Sequence, residues 1–202
     1  MEVDPLEPAA WIQHLNSLVP DGVSIGFLDI DGLMVINEQA GRDVGDRILQ
    51  TVSDGLSRWA SGIPEAAWVR LRGDEFAFAL PGCALEDALL GAETLRQRIN
   101  ASLTDLQTGL PCTLSIGVAN APRDAEDSAS LMRVAETACR LAKETEGGRV
   151  SLPARDEMVL KSCYYPATSV RRLRQLSERT GRKESDLFRE ALQRLLASYH
   201  PK

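Results

Sequence analysis

The chain has 202 residues, a net charge of −6 and 44% apolar residues, enough for one full domain with its own core and a smaller one beside it. No apolar run approaches the length of a membrane span, and the acidic, polar opening Met1-Glu-Val-Asp-Pro is unlike a secretion signal. Cys83, Cys112, Cys139 and Cys163 are scattered without a Cys-x-x-Cys, and His14 and His200 lie at opposite ends. That pattern excludes a disulfide framework, a zinc site and histidine chemistry, and reads as a cytoplasmic protein with reduced thiols.

In chain order, residues 8–18 read as a short helix with Leu15 and Leu18 packing inward, and residues 23–30 as a buried strand. Residues 44–59 have helical spacing, with Ile48, Leu49, Val52, Leu56 and Trp59 on one face. Strands over 67–71 and 76–80 meet across Gly73-Asp74. A helix over 85–103 turns Leu89, Leu90, Leu95 and Ile99 inward. A strand over 111–118, a helix over 128–144 and a short strand over 149–152 complete the unit. The order β-α-β-β-α-β plus a helix and strand predicts an α+β fold, a ferredoxin-like palm: an antiparallel sheet with helices on one face. The boundaries expected are an N-terminal helix in residues 1–20, a main domain in 21–152, a Pro-containing linker in 153–157 and a tail in 158–202.

Two clusters carry the chemistry. The first runs Asp29-Ile-Asp-Gly-Leu-Met-Val-Ile-Asn37 and on through Gly41 to Gly45-Asp46; the second is Arg70-Leu-Arg72-Gly73-Asp74-Glu75-Phe76. Carboxylates at the end of a strand and at the tip of a neighbouring hairpin offer hard oxygen ligands, which suit Mg²⁺ and the phosphates it brings. Each residue also has a plainer reading. Asp31 serves as a structural acid, Asp46 as a first-turn acid favoured by the helix dipole, and Lys143 as a solvated helix residue.

These clusters are similar to the GGDEF family, the diguanylate cyclases, without a gap from Asp29 to Asp46, and again at Arg70–Phe76, Thr113–Ala119 and Ala138–Arg149. The resemblance covers roughly residues 20 to 152 and implies condensation of two GTP into cyclic di-GMP with Mg²⁺ or Mn²⁺. It implies Asp29, Asp74 and the Ile30 carbonyl as metal ligands, and Glu75 as a further ligand or proton acceptor. Asn37 and Asp46 would read the guanine edge, and Lys143 and Arg149 would bind phosphate. The sequence departs from the family at Arg72, in place of the first glycine of the signature, and at Met34, in place of a lysine. Glu144–Gly148 is also longer than the family pattern. Ile63 and Ala66 stand where the family's Arg-x-x-Asp inhibitory motif would fall, so product feedback by that route is not expected.

The tail differs in texture. From Met158 onward ten Lys/Arg face four Asp/Glu, a net of +6; the rest of the chain has thirteen against twenty-five, a net of −12. That asymmetry points to a polyanion partner or, more plainly, to a solvated helix face. A strand over 158–165 ends at Pro166. A helix over 167–180 follows, with Val170, Leu173 and Leu176 inward, then Gly181 as its cap and a helix over 183–199 carrying Leu187, Phe188, Ala191, Leu192, Leu195 and Leu196. One strand and two helices cannot close a core alone, so the tail is expected to pair with a second copy.

At Tyr165-Pro166, Arg171–Leu176, Gly181–Ser185 and Arg189–Leu196 the tail resembles a ribbon-helix-helix protein. The resemblance implies a homodimeric, DNA-binding β-α-α unit whose two-chain ribbon enters the major groove. Alternation would turn Leu160, Ser162 and Tyr164 outward, a set without the Arg, Asn or Gln of base readers. The implied DNA contacts are therefore Ser162 and Tyr164 on the ribbon and phosphate contacts by Arg171, Arg172, Arg174, Arg182 and Lys183. Three functions remain open on the sequence: a cyclase dimerised by its tail, a non-catalytic sensor of GTP or cyclic di-GMP acting through DNA, and a DNA-binding repressor with a degenerate domain as scaffold.

Overall fold

The computed structural model describes residues 3–106, 109–145, 147–153 and 163–199. The chain divides into two compact units, Met1–Arg155 and Asp156–Lys202. In the first, helix α1 (Pro8–Leu18) starts on a proline, whose missing N–H is harmless in a first turn. It buries Trp11 and Leu15 completely, one turn apart. Strand β1 (Val23–Asp31) follows a 3₁₀ turn and is buried on both faces along most of its length, as a central strand should be.

Around β1 stand β2 (Ala67–Arg72), β3 (Glu75–Pro81), β4 (Thr113–Ala121) and β5 (Val150–Ser151), in the order β2-β3-β1-β4-β5. The pairs β1–β3, β1–β4 and β2–β3 are antiparallel, but β5 runs parallel to β4. The sheet is thus mixed, not the antiparallel sheet expected. Helix α5 (Ser128–Thr145) packs on β4 and carries the chain back to the end where β4 begins, so β5 sets out in the same direction as β4. The second helix set also differs. Helices α2 (Leu33–Gln39), α3 (Arg42–Ala60) and α4 (Leu85–Asp105) cover one face over Leu28, Ile30, Phe76, Phe78 and Ile116. Helices α1 and α5 (Ser128–Thr145) cover the other over Ile25, Phe27 and a floor of alanines at 67, 77, 79, 119 and 121. Helices therefore lie on both faces, not on one, because β1 turns Leu28 and Ile30 to one face and Ile25 and Phe27 to the other, and β3 alternates Phe76 and Phe78 with Ala77 and Ala79, so the sheet carries two apolar faces.

Two sequence expectations within the helices need correction. Leu90 is 68% exposed; the buried face of α4 is Leu85, Ala88, Ala92, Leu95, Ile99 and Leu103, a stripe in which two alanines replace the expected leucines. Helix α2 is an element that the sequence pattern does not signal. At seven residues, with Leu33 and Ile36 buried, it is too short to show a 3.6-residue period. It starts from Gly32 at φ 82, where a Cβ would come within 2.8 Å of the Pro111 carbonyl.

The N-terminal segment is stitched into this unit. Leu6 N–H donates to the Trp68 carbonyl (2.8 Å), while Trp68 Nε1 (2.8 Å) and Ser57 Oγ (2.9 Å) both donate to the Val3 carbonyl. This cover shields edge strand β2. On the other face Gly117 lets α5 sit directly on β4. A Cβ there would lie 2.0 Å from the Ala135 carbonyl oxygen and 2.3 Å from Cys139 N. That close seat fixes where the last turns of α5 meet the end of β1.

In the second unit, α6 (Ala167–Thr180) turns through Gly181 at φ 68 into α7 (Glu184–Tyr199). Ser177 Oγ donates to the Arg182 carbonyl (2.5 Å), and the Tyr165 ring lies 5.4 Å from that of Phe188. Helix α6 buries no residue: Val170 is 42% exposed and Leu176 36%, so the residues expected to face inward find no core within one copy. Of the expected strand over 158–165, residues 158–162, with Leu160 and Ser162, lie outside the described residues, and 163–165 carry no regular structure.

Candidate active site

The register of β1 against β3 pairs Asp29 with Glu75, so the end of the central strand meets the start of the hairpin's second strand. Both carboxylates are already engaged. Lys143, reaching in from α5, donates from Nζ to Asp29 Oδ1 at 2.6 Å, a charge-assisted hydrogen bond. Arg72 grips Glu75 with Nε at 2.6 Å from Oε2 and Nη2 at 3.4 Å from Oε1. The tip of the hairpin is held from behind by Arg70, whose Nε and Nη2 donate to the Gly73 carbonyl (3.0 and 2.7 Å) and whose guanidinium lies over the Phe76 ring.

Burial makes Asp29 the costly member of its pair. Its side chain is only 16% exposed, and this desolvation is the largest influence on its pKa and raises it; the Lys143 hydrogen bond and charge pull it down, Asp74 and Asp31 push it up, and the net shift is upward. Lys143 is shifted upward as well. Burial opposes its charge, but the Asp29 hydrogen bond and the charges of Asp29, Asp31 and Asp74 outweigh it. The site is thus a concentration of negative charge around one ammonium. Beneath it, Cys139 Sγ donates to the Ser115 carbonyl (3.3 Å), and burial pushes its thiol up to about 12, which keeps it un-ionised at neutral pH.

Asp31 has a different job. It accepts from Thr113 Oγ1 (2.7 Å), Ser115 Oγ (2.8 Å) and Gly148 N–H (3.0 Å), and so ties the loop after α5 to β4. Asn37 on α2 packs against the first turn of α3, where a Cβ on Gly45 would come 1.9 Å from its Oδ1. It therefore stands beside Asp46, which is exposed. Arg149 is exposed too, with its carbonyl accepting from Ile116 N–H (2.9 Å).

A cleft of about 600 Å³ opens between the strand ends and α5, with Phe27, Asp29 and Glu75 on one wall and Arg133, Arg140 and Lys143 on the other. Of the expected site residues, Asp29, Glu75 and Lys143 line it. Asp74 stands close enough for its charge to act on both Asp29 and Lys143. Asn37, Asp46 and Arg149 lie outside its lining. Sequence reading missed the Arg72–Glu75 and Lys143–Asp29 pairs, which depend on strand register. It also missed Arg133 and Arg140, although their spacing with Thr137 along a helix was a readable signal.

Among the described residues no group of three or more His, Cys, Asp or Glu side chains converges as a ready-made metal cage. The donors present still fit Mg²⁺, which typically takes one or two carboxylates and completes its shell with water and phosphate oxygens. Asp29 and Asp74 with the Ile30 carbonyl supply hard oxygens, and Asp29 already holds a cation in Lys143.

The fold and its carboxylates define an α+β palm domain with its acids gathered at the ends of the central strands. The sequence pattern of the family described as "Diguanylate cyclase, GGDEF domain" matches residues 12–149, and the chain belongs to that family. Similar proteins include YhcK of Bacillus subtilis, 34% identical over 133 residues, which cover 65% of this chain and 36% of that protein. The response regulator PleD of Caulobacter vibrioides is 32% identical over 139 residues, 64% of this chain and 30% of PleD. The chain thus spans about a third of these relatives' length. The GGDEF domain of DgcB from Caulobacter crescentus, solved in complex with c-di-GMP, superposes with a TM-score of 0.64 at 22% identity over 75% of this chain and 92% of that domain, a likeness of fold. Among the described residues no helix is long and apolar enough to cross a membrane.

Proposed function

We propose that the first unit is a diguanylate cyclase, joining two GTP into cyclic di-GMP, and that the tail brings two copies together. The observation that carries this reading is the meeting of Asp29, Glu75 and Lys143 at paired strand ends, in a chain that belongs to the GGDEF family. Asn37 and Asp46 recognise guanine, the amide bonding its acceptors and the carboxylate its N1–H and exocyclic amine. Asp29, Asp74 and the Ile30 carbonyl hold Mg²⁺ or Mn²⁺, which when bound lowers the pKa of the attacking hydroxyl and offsets charge on the leaving pyrophosphate. The 3′-oxygen of one GTP bonds to the α-phosphorus of the other as the bond to pyrophosphate breaks. Glu75, once Arg72 releases it, takes the hydroxyl proton. Lys143 and Arg149 bind phosphate.

Each copy contributes one nucleotide, so a two-fold dimer raises the effective concentration of facing sites. In the tail, Arg171, Arg172, Arg174, Arg182 and Lys183 are suited to DNA phosphates, and contact there is expected to be weakly selective and steeply salt-dependent.

The ion pairs favour a second reading. Glu75 is held by Arg72 and Asp29 by Lys143, so the protein is a nucleotide-responsive DNA-binding regulator without turnover if those pairs persist when nucleotide binds. Incubation of the full chain with GTP and Mg²⁺, followed by chromatography, separates the two. Cyclic di-GMP formed by the native chain and not by Asp74→Ala supports the cyclase. Nucleotide binding without product leaves the regulator, and its affinity for DNA should then change with nucleotide.

A further inference from the structure

Positive charge in the cleft is unevenly committed. Lys143 is bonded to Asp29 at 2.6 Å, and Arg72 to Glu75 at 2.6 Å. Arg149 is exposed and lies outside the cleft lining. What remains is the wall made by α5. Arg133, Thr137 and Arg140 are spaced four and three residues apart, with Lys143 three further on, so they form one stripe on the helix facing the cleft. Arg133 spends one Nη2 hydrogen bond on Ser130 Oγ (3.0 Å). Among the described residues, the Arg140 guanidinium has no ion-pair or hydrogen-bond partner.

The stripe begins at the Lys143–Asp29 corner. At about 1.5 Å per residue it runs roughly 15 Å along α5 to Arg133, room for an extended phosphate chain. Glu136 and Glu144 also line this stretch, but the charge of Glu136 acts on Arg72 across the cleft. A guanidinium with five donors and a planar fork suits phosphate oxygens better than an isolated ammonium does. Arg133, Arg140 and Lys143, with Glu136 and Glu144 among them, place cations along the helix at intervals, which suits a ligand whose charge is spread along a chain.

We propose that Arg140, with Arg133 beyond it, is a polyphosphate subsite of the cleft, holding the phosphate chain of the nucleotide whose α-phosphorus lies near Asp29 and Lys143. The assignment rests on the nucleotide reading given above, but it names cations that reading does not include. Arg140 adds a phosphate contact within the cleft to those proposed for Lys143 and Arg149.

The test uses inorganic tripolyphosphate, which has no base, titrated calorimetrically into the full chain without metal and at fixed ionic strength. The native chain should bind it. Arg140→Ala should weaken binding about tenfold, the scale of one charged hydrogen bond, and Arg133→Ala by less. Arg98→Ala, which removes one positive charge from α4 on the other face of the sheet, should change nothing. Because Arg140 is exposed, its variant should melt with the native chain. The proposal is overturned by a native chain that does not bind tripolyphosphate, by an Arg140→Ala variant that binds it equally well, or by an equal loss in Arg98→Ala. A parallel titration with GTP and ATP separates this from the reading it rests on. Loss of guanine preference sinks the nucleotide reading while leaving Arg140's effect on tripolyphosphate standing, and the reverse result sinks only the subsite.

Discussion

The two units of this chain use similar apolar residues to opposite effect. In the first, α1 and α5 press on one face of the sheet and α2, α3 and α4 on the other; Trp11, Phe76, Phe78 and Ile48 are wholly buried. In the second, two amphipathic helices lean on each other through a single turn. Phe188 (42%), Leu192 (57%) and Tyr199 (78%) stay in solvent. Apolar composition alone therefore does not make a core. A sheet with two apolar faces gives every helix a surface to bury against, while a helix pair leaves each partner with a stripe still exposed. The first unit covers the apolar faces of its own helices, and the described helices of the second leave theirs exposed.

The largest expected effect tests that contrast directly. All three tryptophans, Trp11, Trp59 and Trp68, lie in the first unit, so their fluorescence reports its unfolding alone. Phe78 is fully buried, with its ring 4.8 Å from that of Trp59, and it fills the space over Gly26. Phe78→Ala should lower stability by about 3–5 kcal/mol in a denaturant titration. Phe188→Ala, the matching truncation in the tail, should leave the tryptophan transition where it was. If it moves that transition, the two units are energetically one.

Next in size is Gly117→Ala. The methyl group would have to displace the backbone of α5 at Ala135 and Cys139, an overpacking expected to cost about 1–3 kcal/mol. Because α5 also carries Lys143, the same change should loosen the Lys143–Asp29 pair and weaken phosphate binding, a coupling between packing and site that has no counterpart in the tail.

How far this was legible in the sequence follows the same division. Long periodic helices such as α3 and the strand cores were readable because one face of each meets a core, and burial enforces period. Pro8–Leu18 and Ala167–Thr180 match their expected spans residue for residue, since a proline or its neighbour marks the start and a turn the end. What could not be read needed three dimensions. That α1 and α5 share a face opposite α3 and α4 depends on which strands pair. That Arg72 lies on Glu75 depends on the irregular register between Arg70 and Arg72 in the hairpin. The Asp29 and Glu75 signals were readable because their order along the chain is distinctive; their present partners were not.

The third prediction turns on the tail's unfilled faces. Val170, Phe188 and Leu192 should be covered by a second copy, so the full chain should sediment as a dimer at micromolar concentration, and a chain ending at Leu152 as a monomer. Leu192→Asp should weaken the dimer by tenfold or more, about 1.4 kcal/mol, with the tryptophan transition unchanged. A monomeric full chain would remove the dimer from the proposed mechanism.

The smallest effect concerns ion pairs, where the two units again differ. In the first, Glu93 accepts from Arg96 at 2.5 Å, and Arg96 Nη1 also donates to the Gly148 carbonyl at 2.6 Å, strapping the loop after α5 to α4. The Arg96 hydrogen bond holds the Glu93 carboxyl below its ordinary value of 4.5, against a smaller opposing effect of burial. Because the folded state prefers the ionised form, this stability is fully present above the unfolded value and is lost as pH falls through the lower folded one. Glu93 is 38% exposed, so solvent screening limits the contribution to well under 1 kcal/mol. Glu93→Gln should therefore lower stability slightly at pH 7, and the gap from the native chain should close as the pH drops below about 4.5. In the tail, Glu190 is likewise held low by Arg182 and Arg194, but it is only half-buried and braces only its own helix pair. Glu190→Gln should leave the tryptophan transition unmoved at every pH. A pH-dependent change there would mean that the acid strap of the first unit extends into the second.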